Sequence, residues 1–230
     1  MQIAIIGAGR VGKTLGTALQ RKGHTIVYGV RNPKTSISSL NKTPGEQNTK
    51  TVSNALAGAH AVILAIPWTA AEALVCENAE GLAGTIVIDA TNPLNPASTS
   101  LAFGFVTSAA ELLQSQAQQA TFYKAFNTTG YDVMAHPQFP QGKAVMFVAG
   151  PDGLSKKTVM RLVADVGFEA VDAGELKAAR LLEPLAMLWI QLASVKRHGR
   201  DFAFIMARRE SIRNQHAGPR VAAIDPQEVE

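Results

Sequence analysis

The sequence predicts a doubly wound α/β fold, and three observations carry that prediction. A glycine turn close to the N-terminus joins a short apolar run to a helical pattern. Further short apolar runs, of the kind expected for parallel strands buried on both faces, recur along the chain and alternate with helical periodicity. Polar, proline-containing loops follow several of these runs, where strand carboxyl ends open onto a crevice. About eight strands are expected in one mostly parallel sheet, ending in a long apolar helix.

The first apolar run is Ile3 to Ile6, and after it comes Gly7-Ala8-Gly9-Arg10-Val11-Gly12. Val11, Leu15, Ala18 and Leu19 then fall at helical spacing, so the glycines sit where a strand hands over to a helix. That is the context of a dinucleotide-binding Rossmann turn: Gly7 permits the tight turn, Gly9 lets backbone approach a pyrophosphate, and Gly12 lets the helix pack close. The helix N-terminus faces the phosphates with free N–H groups and the positive end of its dipole. A glycine turn of purely structural use is the competing reading.

His24 to Val30 reads as the second strand. An NAD site places an acid at its end, but here Arg31 and Asn32 follow Val30 and no acidic residue occurs before Glu46. A guanidinium at Arg31 suits a 2′-phosphate and Asn32 adds a neutral hydrogen bond, so the cofactor is read as NADP(H). Lys34 is a weaker candidate for the same phosphate. Ser36 to Lys50 is polar, holds Pro44-Gly45, and reads as a loop with a short helix near Ile37 to Leu40. Thr51-Val52 reads as a minimal strand, with Ser53 capping a helix through Ala57.

Ala61 to Ile66 is another buried run, which places Ala65, Ile66, Pro67 and Trp68 at the crevice rim; Trp68 also reads as an exposed aromatic at a helix start. Thr69 is the expected cap of a helix to Ala79. Thr85 to Asp89 is the next strand, and Thr91, Asn92 and Pro93 belong to the loop after it. Asp89 reads either as a general base or as a hydrogen-bond acceptor for the Thr91 and Asn92 backbone. A helix over Ser108 to Ala117 precedes a strand from Thr121 to Phe126. Alternation puts Lys124 and Asn127 on different sides of that strand, so they are not paired. Asn127 is instead read as lining the crevice, and with Thr128 it is assigned to the substrate side.

Ala144 to Ala149 and Phe168 to Val171 are the last strands, with a helix from Ser155 to Val166 between them. Glu175 to Val195 is the long final helix, apolar on nearly every face from Leu181 to Ala193. Such a helix must be covered all round, which points to a homodimer formed through it. The stretch is read as too short for a membrane span and carries Glu183 and Pro184. Residues 1–210 make a single domain and 211–230 a flexible tail.

The 230 residues are 47% hydrophobic and 17% charged, a globular composition. The net charge of +4 is scattered, which argues against nucleic acid and for a small-molecule substrate. Cys76 is the only cysteine, so neither an intrachain disulfide nor a Cys-x-x-Cys pair exists, and it is read as a buried thiol. His24, His60, His136, His198 and His216 are dispersed without ligand spacing, and no metal site is expected. The first strand begins at residue 2, leaving no room for a signal peptide, so a cytoplasmic, non-membrane protein is expected.

The glycine turn, Gly29-Val30-Arg31, Ala65 to Trp68, Asp89 to Leu94, Lys124 to Thr128 and Leu182 to Leu185 together resemble one family. It is the F420-dependent NADP oxidoreductases, whose dinucleotide domain also occurs in the STEAP metalloreductases. The resemblance spans roughly Met1 to Arg209. It implies hydride transfer between the nicotinamide and coenzyme F420 or a flavin such as FMN or FAD. It also implies that Ala8, Arg10 and Val11 contact the pyrophosphate, Val30 and Arg31 the 2′-phosphate, and Ile66, Pro67, Asn92 and Ala125 the nicotinamide side. Ala8, Arg10 and Val30 depart from the small polar residues common there. Such chemistry requires no catalytic acid, and none is assigned. An imine or carbonyl reductase, which requires a proton donor such as Lys124 or Tyr131, and a non-enzymatic NADP(H) sensor are the alternatives. A STEAP-like metal reductase is disfavoured because the membrane haem domain is absent from the chain.

Overall fold

The computed structural model describes residues 1–33 and 48–209. Lys34, the expected loop helix near Ile37 to Leu40 and the tail 211–230 lie outside the described residues.

The N-terminal half repeats a strand–helix unit. β1 (Gln2–Ile6) leads into α1 (Arg10–Arg21) and β2 (Thr25–Val30), then β3 (Thr49–Thr51), α2 (Val52–Leu56) and β4 (Ala61–Leu64). After these come α3 (Trp68–Glu77), α4 (Ala79–Leu82), β5 (Ile86–Asp89), α5 (Ala109–Gln116) and β6 (Thr121–Lys124). These six strands form a wholly parallel sheet in the order β3-β2-β1-β4-β5-β6. Strand order reverses between β1 and β4, so the ligand crevice of a doubly wound sheet opens there, at the carboxyl ends.

Alternation along the strands divides the core. Ile3, Ile5 and Ile63 face α1 with Leu15 and Leu19, while Ala4, Ile6, Val62 and Leu64 pack with Val75 and Leu113 on the other face. Covered on both sides, the strands are continuously apolar, as their sequences predict. Gly7, at φ +106°, makes the turn into α1; a Cβ there would lie 2.4 Å from the Ala65 carbonyl. At Gly12 a Cβ would fall 2.0 Å from the Gly7 carbonyl oxygen, so only glycine lets helix and turn meet.

Beyond β6 the chain forms α6 (Tyr131–Ala135), β7 (Gln138–Phe139), β8 (Gly142–Lys143), β9 (Val145–Val148), α7 (Leu154–Val166) and β10 (Glu169–Asp172). β9 and β10 pair in parallel and join the main sheet where Lys124 and Ala149 exchange backbone hydrogen bonds of 2.8 and 3.0 Å with β6. The eight expected strands are therefore six in the main sheet and two beside it. The antiparallel hairpin of β7 and β8 is an addition, too short for period-2 patterning to reveal.

Several local expectations are corrected. Thr69 does not cap α3, which starts one residue earlier at Trp68 behind Pro67; nor does Ser53 cap α2, which starts at Val52. Proline's fixed φ serves at a helix entrance without a side-chain cap. Cys76 is exposed, not buried, because the buried face of α3 is Trp68, Ala71 and Val75. The final helix is not one α-helix covered all round. It runs as a 3-10 turn (Leu176–Ala178), α8 (Ala179–Ile190) and a π turn (Gln191–Val195), with Leu181 67% and Leu188 49% exposed. By length and composition Leu176–Val195 would suffice to cross a membrane, yet α8 packs on the domain through Ala179, Leu182, Glu183, Ala186 and Trp189.

Candidate functional site

The crevice consists of two adjoining clefts. The larger, about 960 Å³, lies beyond β1 and β2 and is bordered by Gly7, Val30, Arg31, Asn32, Ile66 and Pro67. The smaller, about 310 Å³, is bordered by Pro67, Trp68, Thr91, Asn92, Leu94 and Asn95. Ile66, Pro67 and Thr69 border both, so the clefts make one trough across the switch point. Arg31 is exposed at one end and Trp68, packed edge-on against Phe103 at 5.5 Å, stands at the other.

Between them is the glycine turn. Gly9 precedes α1 with extended backbone and no side-chain cap, α1 carries no acid in its first turn, and a Cβ on Gly9 would meet no atom within 4 Å. The first-turn N–H groups, which no helix can pair internally, therefore open onto space of the right kind for a pyrophosphate. Ala8 is half-buried, as are Val11 and Ala65. Arg10 turns away from the turn's backbone, and its Nη1 donates to the Tyr131 hydroxyl at 3.0 Å. Among the described residues no carboxylate directly follows β2, where an acid would repel the 2′-phosphate of NADP(H); Glu77 borders the same cleft from α3.

The remaining predicted residues stand behind the wall. Pro93 and Ala125 are buried, and Asn127 and Thr128 are 4% and 3% exposed. Asn127 Nδ2 donates to Asn92 Oδ1 and to the Leu182 carbonyl, both at 3.0 Å, and Asn92 Nδ2 returns a bond to the Asn127 carbonyl at 2.9 Å. Thr128 faces the sulfur of Met146 at 3.7 Å. Phe126, between Ala125 and Asn127, is held at φ +61° with its N–H on the same sulfur at 3.0 Å. A bulky buried residue in that region is strained, and the surrounding core holds it there. Thr91 Oγ1 and Asn127 Oδ1 are buried without a hydrogen-bond partner among the described residues.

Beneath this wall lies a charged cluster that sequence reasoning did not assemble. Lys124 Nζ is 2.8 Å from Asp89 Oδ2, 2.7 Å from the Thr91 carbonyl and 2.8 Å from Glu183 Oε1, and the three side chains are fully buried. Asp89 Oδ1 accepts from the Thr91 N–H at 2.8 Å, which matches the acceptor reading for Thr91 but not for Asn92. Glu183 Oε2 accepts from the Ala109 N–H at 3.1 Å. Burial lowers the lysine's proton affinity, but the two carboxylates outweigh it and hold Lys124 above the ordinary lysine value. Burial also pushes the Glu183 carboxyl up, more than Lys124 draws it down. The cluster ties β5, β6, α5 and α8 together under Asn92. Glu183 was visible only as one acid in an apolar stretch; its need of a buried cation was the signal.

The comparisons with known proteins agree with this geometry. The family described as NADP oxidoreductase, coenzyme F420-dependent, matches residues 2–93. A structure from Arthrobacter sp. FB24, described as an F420-dependent NADP-reductase, is 30% identical with a TM-score of 0.80, the match covering 90% of this chain and all of that one. Rat metalloreductase STEAP3 is 28% identical over 190 residues, 81% of this chain; the chain spans only 37% of that relative's length. An imine reductase of Streptomyces aurantiacus, 17% identical over 85% of this chain and 64% of its own at a TM-score of 0.61, shares the fold. With the glycine cradle, the acid-free end of β2 and a match along nearly its whole length, the chain belongs to the F420-dependent NADP oxidoreductase family.

Proposed function

We propose that this NADP-dependent oxidoreductase passes hydride between NADPH and coenzyme F420 or a flavin, FMN or FAD, in the cytoplasm. The observation that carries the reading is the state of the candidate proton donors. Lys124 is turned into the protein at zero exposure, with hydrogen bonds to Asp89 and the Thr91 carbonyl and an ion pair to Glu183, so it cannot reach a bound imine or carbonyl; the Tyr131 hydroxyl, which accepts from Arg10, is the candidate left to test. The cleft wall at the nicotinamide end carries the apolar side chains of Ile66, Pro67 and Trp68. Bound NADPH supplies the hydride. The chain anchors the phosphates at the turn and at Arg31, and keeps water off the two rings. Holding both rings at reacting distance is an orientation effect of up to ~7–11 kcal/mol.

Oxidation of stoichiometric NADPH in a single turnover, with F420, FMN, FAD, a ferric chelate or an imine added in turn, tests the reading. F420 or a flavin should react, and Tyr131→Phe should react at nearly the wild-type rate at saturating acceptor. A loss of ~10² or more in Tyr131→Phe would instead favour the imine or carbonyl reductase. No oxidation by any acceptor would favour a sensor. Arg31→Ala should weaken NADPH by ~1.5–3 kcal/mol and leave NADH nearly unchanged, the range for hydrogen bonds to charged groups. Equal weakening of both would remove the 2′-phosphate assignment.

We also infer a homodimer through α8. Leu181, Leu188 and Val195, 67%, 49% and 59% exposed, recur every seven residues with half-buried Leu185 and Leu192 between them. That 4-3 spacing is the seam of a paired helix, self-complementary about a twofold axis. Sedimentation should give a dimer that Leu188→Glu dissociates; a monomeric wild type at micromolar concentration would refute it.

A further inference from the structure

We propose that Asn127 is a positioning residue: buried behind the wall, it fixes the side-chain amide that Asn92 presents to the smaller cleft, and it takes its own place from α8. Asn127 then touches no ligand, and acts on the occupant of that cleft only through Asn92. This rests on the reading above that the nicotinamide of NADPH lies at the Asn92 end of the trough.

Each amide is oriented by a backbone carbonyl, which can only accept. Asn92 Nδ2 must face the Asn127 carbonyl, 2.9 Å away, and Asn92 Oδ1 is thereby left toward the Asn127 side chain. Asn127 Nδ2 must face the Leu182 carbonyl, 3.0 Å away, and its second N–H then meets Asn92 Oδ1, also at 3.0 Å. Exchanging O and N at either residue would set oxygen against oxygen, so the pair has one arrangement. Asn127 Oδ1 is buried without a partner among the described residues, so the amide is held for its two donors. Asn92, by contrast, is half-buried on the border of the cleft and has one amide N–H and one lone pair beyond those the pair uses.

The backbone beyond β6 is shaped for this reach. Alternation would put Lys124 and Asn127 on opposite sides, yet Lys124 meets Glu183 and Asn127 meets Leu182, adjacent residues of α8. Phe126, at φ +61°, breaks the alternation and brings both onto that helix; a conformation so costly for a bulky residue persists only where its surroundings enforce it. The same turn of α8 is pinned to α5, with Glu183 Oε2 accepting from the Ala109 N–H and Arg180 gripping Glu111 through bonds of 2.7 and 2.9 Å. Asn92 therefore hangs from a fixed turn of α8. Lys124, paired with Glu183, holds the neighbouring Thr91 carbonyl at 2.7 Å and keeps the backbone of the loop in place beside it.

Equilibrium binding separates this role from a structural one. NADPH and 2′,5′-ADP, which keeps the 2′-phosphate and adenosine but has no nicotinamide, are titrated against the wild type, Asn92→Ala, Asn127→Ala and the double variant, with no hydride acceptor present. Asn127→Ala should weaken NADPH about tenfold, the upper size of one hydrogen bond, and leave 2′,5′-ADP unchanged, which also shows that the variant is folded. Once Asn92 is absent, Asn127→Ala should weaken NADPH no further, since a residue acting through Asn92 has nothing left to position. Asn127→Ser, a smaller disturbance of the core, should follow the same pattern and replaces the alanine variant if that one does not fold. Equal loss of both ligands, or additive losses in the double variant, would overturn the positioning role and leave Asn127 a core residue alone. So would Asn92→Ala weakening NADPH while Asn127→Ala does not. NADPH binding unchanged in every variant would remove the placement of the nicotinamide at Asn92 and the positioning role with it. A selective loss of NADPH affinity in a protein that reduces no acceptor would keep the positioning role and remove hydride transfer.

Discussion

Two lysines in this molecule have the same partners and different surroundings. Lys124 holds Asp89, Glu183 and the Thr91 carbonyl; Lys156 holds Asp152 at 2.7 Å, Asp172 at 2.8 Å and the Gly174 carbonyl at 3.2 Å. Each is one ammonium, two carboxylates and one backbone oxygen. Around Lys124 no side chain reaches solvent, whereas Asp152 and Asp172 are 81% and 48% exposed. Water can therefore take the place of Lys156 at either carboxylate of the second cluster, although Lys156 itself is only 6% exposed, and can replace no partner at the first. The buried cluster sits under the Asn92 end of the trough, the exposed one at the far pair of strands, β9 and β10. Identical composition thus gives a determinant of shape in one place and a surface staple in the other.

The largest expected effect comes from breaking the buried cluster. Lys124→Met leaves two carboxylates facing each other without water, and should cost ~3–5 kcal/mol in urea unfolding. Because Asn92 and Asn127 lie directly above, the same variant should also lose NADPH affinity. A cost below ~1 kcal/mol, the value of a surface pair, would mean that solvent reaches Lys124.

Protonation separates the clusters next, and in opposite directions. Glu183 has a folded value above its unfolded one, so its contribution to stability is greatest below the unfolded value and falls as pH rises through the folded one. Asp172 is lowered, chiefly by its hydrogen bond from Lys156, so its contribution is present above the unfolded value and is lost as pH falls through the folded one. A pH series of urea midpoints should therefore show Glu183→Gln gaining on the wild type as pH rises from acid to neutral. Asp172→Asn should lose ground over its own, more acidic, range. Parallel curves for the two variants would contradict the assignment. The Lys124 contribution, with its raised value, persists through neutral pH and is lost only in strong alkali.

The same contrast explains what the sequence could tell. The glycine turn, the missing acid after Val30 and the apolar runs are local signals, and the crevice built from them has Gly7, Arg31, Ile66 and Pro67 where they were expected. Asp152 and Lys156 are also local, four residues apart, Asp152 just ahead of α7 and Lys156 in its first turn. The partners of Lys124 are not. Asp89 faces it across a β5–β6 register that periodicity does not specify, and Glu183 arrives from a helix 59 residues further on by chain number. For the same reason the exposure of Cys76 and of Leu181 was not predictable from their apolar neighbours. Which side of a helix meets the sheet is decided by contacts far away in the chain.

The smallest expected effect is at Lys156. Lys156→Met removes the charge but keeps an unbranched stem over the buried face of α7, where Val159 and Val163 pack. Asp152 and Asp172 regain water at little cost, and Gly174 keeps its N–H on Asp172 at 2.8 Å. The loss should be at most ~1 kcal/mol, as for exposed pairs. NADPH affinity should not change, because β9 and β10 lie beyond β6 and form no wall of the trough. The double variant Lys124→Met/Lys156→Met then completes the comparison, since well-separated sites should add to within ~0.5 kcal/mol. A larger discrepancy would mean that the bridge between Lys124 and Ala149 carries strain from one cluster to the other. In that case the two lysines would belong to one mechanical unit, and the contrast between them would measure its stiffness instead of their exposure to water.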